Sequence, residues 1–136
     1  MNFAFLSRWQ PQLLALLRIV AALLFMEHGT AKLFEFPVPQ PGVPTPLPML
    51  LLAAAIIEVA GGVLVTLGLF TRLAAFVMSG EIAIGYFMVH APKSFWPIVN
   101  MGEAAILYAF VFLYIAAAGP GAWSIDGMRE KNAPVR

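Results

Sequence analysis

The stretch LLFMEHGTAKLF, residues 23–34, sets Glu27, His28 and Lys32 among leucines and phenylalanines. A carboxylate, an imidazole and an ammonium so close together are the groups that form ion pairs, carry protons or hold anions. Arg18, Glu58, Glu81, His90, Asn100 and Glu103 recur in surroundings just as apolar. Charge in hydrocarbon costs about 2.5–3.5 kcal/mol per residue on insertion scales, so such groups turn towards one another or towards a water-lined cavity. The chemistry on offer is therefore proton handling, or donation from cationic N–H groups to anionic or carbonyl oxygens.

Other chemistries are absent. The chain has no cysteine, which removes disulfides, thiolate metal sites and cysteine relays. No nucleophile triad, phosphate loop or dinucleotide fingerprint is present, which argues against an autonomous enzyme. His28 and His90 are the weak metal candidates, since imidazole with carboxylate suits zinc, iron or copper. They come from separate segments without H-x-x-x-H or E-x-x-H spacing, so no metal is expected. Net charge is +1 with no basic stripe, which points away from nucleic acid.

The elements that carry these residues follow from composition. Of 136 residues, 61% are hydrophobic, and mean hydropathy is +0.86. A soluble domain this small leaves too much surface wet to hide that fraction, so lipid is the solvent and the bilayer the first partner. Four apolar segments approach the roughly 20 residues a span needs, over about 11–34, 47–70, 73–91 and 97–118. They are continuous rather than alternating, which excludes barrel strands. The first is too long for a cleaved leader and is read as a retained anchor. Six prolines in EFPVPQPGVPTPLP make residues 35–48 a stiff extended loop. The other connections are short and force antiparallel neighbours.

With four spans, Arg8, Arg72, Arg129, Lys131 and Arg136 share one face, against Lys93 and Lys32 on the other. The positive-inside rule places both termini in the cytoplasm and the Pro-rich loop outside. Trp9, Trp96 and Trp123 fall near segment ends, as an interfacial aromatic belt requires. The expected fold is a single all-α domain over residues 1–136, a multi-pass antiparallel four-transmembrane-helix bundle.

Helical phase refines the polar set. Arg18, Phe25, Gly29 and Lys32 share one stripe, His28 lies about 80° away, and Glu27 projects to the opposite side. Glu58 shares its face with Ala54, Ala55, Gly61 and Gly62, small residues that let another backbone approach. Glu81 aligns with Val77, Met78, Gly85 and Met88, and the fourth segment aligns Trp96, Asn100, Glu103, Leu107, Phe110 and Tyr114. The expectation is an outward-opening polar pocket floored by Glu58.

Taken in order, LLRIVAALLFMEHGTAKLF, IIEVAGGVLVTLGLFTRLAA, VHAPKSFW, NMGEAAILYAFVFL and GPGAWSID resemble the DoxX family of small bacterial membrane proteins, across roughly residues 14–126. The resemblance implies a four-helix protein of the bacterial inner membrane. It carries recurring polar positions onto Arg18, Lys32, Glu58, His90, Asn100 and Glu103. Ala22 stands where the family favours glycine, and Glu81 lies outside the family pattern. Some relatives belong to membrane redox systems that deliver electrons to quinone.

The resulting expectation is a subunit or accessory of a membrane oxidoreductase, with the polar residues binding a quinone head group or small anion. Glu27, His28, Glu81, Trp96 and Tyr114 are secondary members of the site, the aromatic ones as ring contacts. Redox-enzyme subunits or a second copy of the chain are the expected protein partners. The alternatives are a structural subunit without a ligand site and a small proton-coupled transporter.

Overall fold

A computed structural model describes residues 2–133, so Arg136 lies outside the described residues. All regular structure in them is helical. A 3-10 turn at Ala4–Trp9 leads into α1, Gln10–Phe34, with Pro11 in the first turn, where its missing N–H costs nothing. Helix α2 spans Met49–Leu67 and α3 spans Thr71–Gly85, the latter continued by a π-helical turn at Tyr86–His90. A single turn, α4 at Pro97–Asn100, precedes α5 at Glu103–Ala118, and a short α6 follows at Ile125–Lys131.

Three helical stretches are long and apolar enough to cross a bilayer: Ala4–Phe34, Met49–Leu67 and Thr71–Lys93. Helix α5 is apolar but has 16 residues, about 24 Å at 1.5 Å per residue, against a hydrocarbon thickness of about 30 Å. The expected continuous helix over 97–118 is therefore corrected. Met101 takes a left-handed conformation with φ 59°, and the Asn100 side-chain oxygen accepts the Gly102 N–H at 2.8 Å. These two features end α4 and restart the helix with a new phase.

The helix ends sort into two faces. Ala122 N–H donates to the Pro11 carbonyl at 3.0 Å, and Asp126 N–H to the Gly68 carbonyl at 2.8 Å. The start of α1, the α2–α3 turn and the α5–α6 connection thus meet at one end, which also carries Arg8, Arg72, Arg129 and Lys131. The excess of basic residues makes this the cytoplasmic end. The Pro-rich loop and Lys93 occupy the other.

Helix α1 packs mainly on α2, and α3 mainly on α5, with α2 against α3. The core is drawn from all four: Ala21, Ala22 and Phe25, then Val65, then Ala74, Ala75 and Met78, then Phe112 and Ile115. The α1–α5 seam is the thinnest and is bridged by Phe25, whose ring centroid lies 5.2 Å from that of Tyr108 and 5.1 Å from that of Phe112. Lipid is as oily as leucine, so helices associate through close packing rather than water exclusion. Gly29 shows how: a Cβ there would stand 2.8 Å from the Ala55 carbonyl oxygen and 2.9 Å from Glu58 Cβ. Ala22 in place of glycine does not hold α1 and α2 apart, because Gly62 supplies the room from the opposite helix.

Candidate functional site

Close contact at Gly29 brings Lys32, one turn further along α1, level with Glu58 on α2. Lys32 Nζ donates to both Glu58 carboxylate oxygens, at 2.6 and 2.8 Å, with side chains only 9% and 2% exposed. Helical side chains lean towards the helix N-terminus, so Lys32 reaches back from the outer end of α1 into the bundle. A lysine two residues from a helix end has the length to extend to the headgroups; here it turns inward because Glu58 is there to receive it. Glu58 sits midway along α2, among buried Ala55, Gly61 and Gly62.

Two oppositely charged groups removed from water need good geometry and complete hydrogen bonding to persist. The bidentate pair meets that condition and uses two of the three ammonium protons. Glu81, at mid-height on α3, lies within electrostatic range of Glu58 and Lys32. Its Oε2 is buried without a hydrogen-bond partner. The aligned residues Val77 and Met88 face outward, whereas α3 buries Thr71, Ala74, Ala75, Met78 and Ser79. Glu81 therefore sits on the flank of the packed face, with one oxygen turned inside.

His28 lies on the molecular surface, edge-to-face with Tyr108 of α5 at 6.1 Å, and within electrostatic range of Lys32 and Glu27. Glu27 is exposed beside it. The ammonium of Lys32 is committed to Glu58 and not to Glu27. The opening triplet thus splits, with Lys32 inside and Glu27 and His28 at the rim of the α1–α5 seam.

His90 and Asn100 form a second cluster at the outer end. His90 Nδ1 lies 2.9 Å from the Asn100 carbonyl oxygen, and its ring stacks on Tyr86, one turn earlier. Asn100, fully buried, donates through Nδ2 to the Tyr86 hydroxyl at 3.2 Å and to the Ser94 carbonyl at 2.9 Å. This cluster fastens the α3–α4 loop. No hydrogen bond among the described residues links it to Lys32 and Glu58. His28 and His90 belong to separate environments, and no group of three or more metal-binding side chains occurs among the described residues.

The fourth-segment stripe, Asn100 apart, lies on the exposed surface and not in the bundle interior. Glu103, Leu107, Phe110 and Tyr114 lie on the outer surface, and Trp96 is 65% exposed. The buried face of α5 is Ala105, Phe112 and Ile115 instead. The break at Met101 explains the error: Asn100 is buried on α4, and its phase does not continue into α5. Glu103 begins α5, where a carboxylate suits the positive helix end. Trp96 and Tyr114 occupy opposite ends of the molecule. Tyr114 lines an apolar groove of about 390 Å³ with Leu6, Leu13 and Leu17 at the cytoplasmic end.

Arg18 is fully buried, and its guanidinium spends every N–H on backbone carbonyls. Nε donates to Pro120 at 2.8 Å, Nη1 to Val65 and Thr66 at 2.7 Å, and Nη2 to Ala122 at 3.2 Å and Trp123 at 2.9 Å. Two of these carbonyls close the C-terminus of α2, where a cation is favoured. None of its five donors remains for a ligand. Arg72 caps the C-terminus of α5 through one nitrogen, Nη1, which donates to the carbonyls of Ala116 and Ala117. Asp126 closes the start of α3, accepting from Phe70 N–H at 3.0 Å, Thr71 N–H at 2.8 Å and Thr71 Oγ1 at 2.8 Å. Partial burial opposes ionisation of Asp126, but the Thr71 and Phe70 hydrogen bonds and nearby Arg129 outweigh it and hold the carboxyl below its ordinary range. Gly68 is required in this knot, because its φ is 69° and a Cβ would strike Ser124 and Arg18 Nη1.

The DoxX family pattern matches residues 13–91, from the first turns of α1 to the end of the α3 rod. The chain belongs to the DoxX family. Among curated relatives, this DoxX protein is 47% identical over 128 residues to an uncharacterized protein of Haemophilus influenzae, covering 89% of this chain and 93% of that one. It is 32% identical over 133 residues to inner membrane protein YphA of Escherichia coli, covering 86% and 90%. No solved structure matches the chain. As a DoxX protein with long apolar helices, it is a multi-pass membrane protein whose helices contact the bilayer.

Proposed function

We propose that the protein is an accessory subunit of a redox system in the bacterial inner membrane, and that Lys32, Glu58 and Glu81 form its ligand site, for a quinone head group or a small anion. The observation that carries this reading is the buried, donor-less Oε2 of Glu81 beside a closed Lys32–Glu58 pair. An acceptor without a donor in hydrocarbon is expensive, and a quinol hydroxyl supplies the missing donor. The third Lys32 proton suits a quinone carbonyl or an anionic oxygen. Tyr108 and His28 flank the thin α1–α5 seam and give an aromatic edge to a ring entering from the lipid.

A ubiquinol analogue titrated into the purified protein should quench intrinsic fluorescence saturably, and Glu81→Gln and Lys32→Met should each weaken this by about tenfold, the worth of one good hydrogen bond to a charged group. No response of the wild type to a panel of quinones, thiosulfate and sulfite would sink the reading.

A second reading has its own support. Arg18, Asn100 and Asp126 have their hydrogen bonds met by the backbone and by the neighbouring hydroxyls of Tyr86 and Thr71, as expected of a rigid subunit that serves only as a partner. It wins if Glu81→Gln leaves ligand responses unchanged while a co-purifying complex falls apart.

A further inference from the structure

A concavity of about 370 Å³ opens at the cytoplasmic end between the start of α3 and α6, lined by Phe70, Arg72, Leu73, Asp126 and Arg129 among others. It lies at the opposite end of the bundle from the His90 cluster and touches none of Lys32, Glu58 or Glu81. We propose that this concavity is a headgroup site for an anionic phospholipid of the cytoplasmic leaflet.

Three observations support the assignment. Arg72 anchors its Nη1 on the Ala116 and Ala117 carbonyls, while its Nε and Nη2 make no hydrogen bond among the described residues. A guanidinium fixed by one nitrogen with its other edge free is preorganised to donate to a phosphate. Arg129 stands 5.7 Å over the Phe70 ring, which holds a second cation on the same wall. Phe70 and Leu73 are 56% and 67% exposed, so the floor offers an acyl chain an apolar surface directly below the charges.

Two acids share the wall: Asp126, whose oxygens accept from the N–H groups of Phe70 and Thr71 and from the Thr71 hydroxyl, and exposed Glu130, so the site depends on directed guanidinium donation rather than on a net positive charge. Trp123, just before α6, and Met128, on it, are both exposed, as a headgroup-level helix requires. The cytoplasmic leaflet carries the anionic lipids that attract juxtamembrane basic groups.

The test is native mass spectrometry of the full chain in detergent, titrated with phosphatidylglycerol, phosphatidylcholine or inorganic phosphate. Phosphatidylglycerol should be retained over phosphatidylcholine, and Arg129→Gln should weaken its binding about fivefold, as removal of one interfacial cation predicts. Lys93→Gln, at the outer end, should leave it unchanged. Arg72→Gln should also weaken retention, with circular dichroism checking that α5 survives loss of its cap. Equal binding of both lipids, equal losses in Arg129→Gln and Lys93→Gln, or displacement of the lipid by millimolar phosphate alone would overturn the assignment.

Discussion

Lys32 of α1 holds both carboxylate oxygens of Glu58 on α2, at 2.6 and 2.8 Å, one turn beyond the point where Gly29 lets the two backbones touch. The pair and the contact depend on each other. A side chain at Gly29 would move α1 outward and pull the ammonium from its acid. Without the pair, the closest approach of the two helices would bury two unmatched charges, each costing several kcal/mol.

At the cytoplasmic end, Arg18→Lys should destabilise the protein although it keeps the charge. Lysine brings three donors to a place where five are used, and each carbonyl left bare costs about 1–3 kcal/mol. Unfolding of the micelle-embedded protein by denaturant should show the loss. A change below about 0.5 kcal/mol would mean that the carbonyl cage is not stabilising.

Asp126 gives the same end a pH dependence. Its folded pKa lies below the unfolded one, so its contribution is complete above the ordinary carboxylate pKa of about 3.9 and disappears as pH falls through the folded value. The Tm gap between wild type and Asp126→Ala should be constant from neutral pH down to about 5 and close below about 4. A gap that widens on acidification would contradict the sign.

The orientation is testable because the chain has no cysteine of its own. Ser94→Cys should react with a membrane-impermeant maleimide in intact spheroplasts, and Glu130→Cys only after lysis. The reverse pattern would invert the bundle.

Much of this was legible in the residues. Composition and run length give the helical membrane bundle, and phase along α1 and α2 puts Arg18, Lys32 and Glu58 on buried faces, because uninterrupted helices keep their 100° step. The same arithmetic failed on the last segment. Nothing in PIVNMGEAAIL announces that Met101 takes a left-handed conformation, yet that residue resets the phase and leaves Glu103 on the surface. Partner choice was also hidden: Arg18 reads as an anion donor by type, and only the return of the 120–123 backbone reveals where its hydrogen bonds go. Glu27, three residues from a helix turn that points inward, is exposed for the plain reason that it lies opposite the Arg18 stripe.

The Lys32–Glu58 ion pair joins α1 and α2 inside the bilayer, and a double-mutant cycle measures that link directly. Lys32→Met, Glu58→Leu and the double variant would be unfolded in bicelles by steric trapping. Each single change should cost about 3–5 kcal/mol, since it strands a buried charge. The double should cost less than their sum by about 1–3 kcal/mol. Losses that add to within about 0.5 kcal/mol would show that the two side chains do not depend on each other, and the inward-turned pair would be wrong.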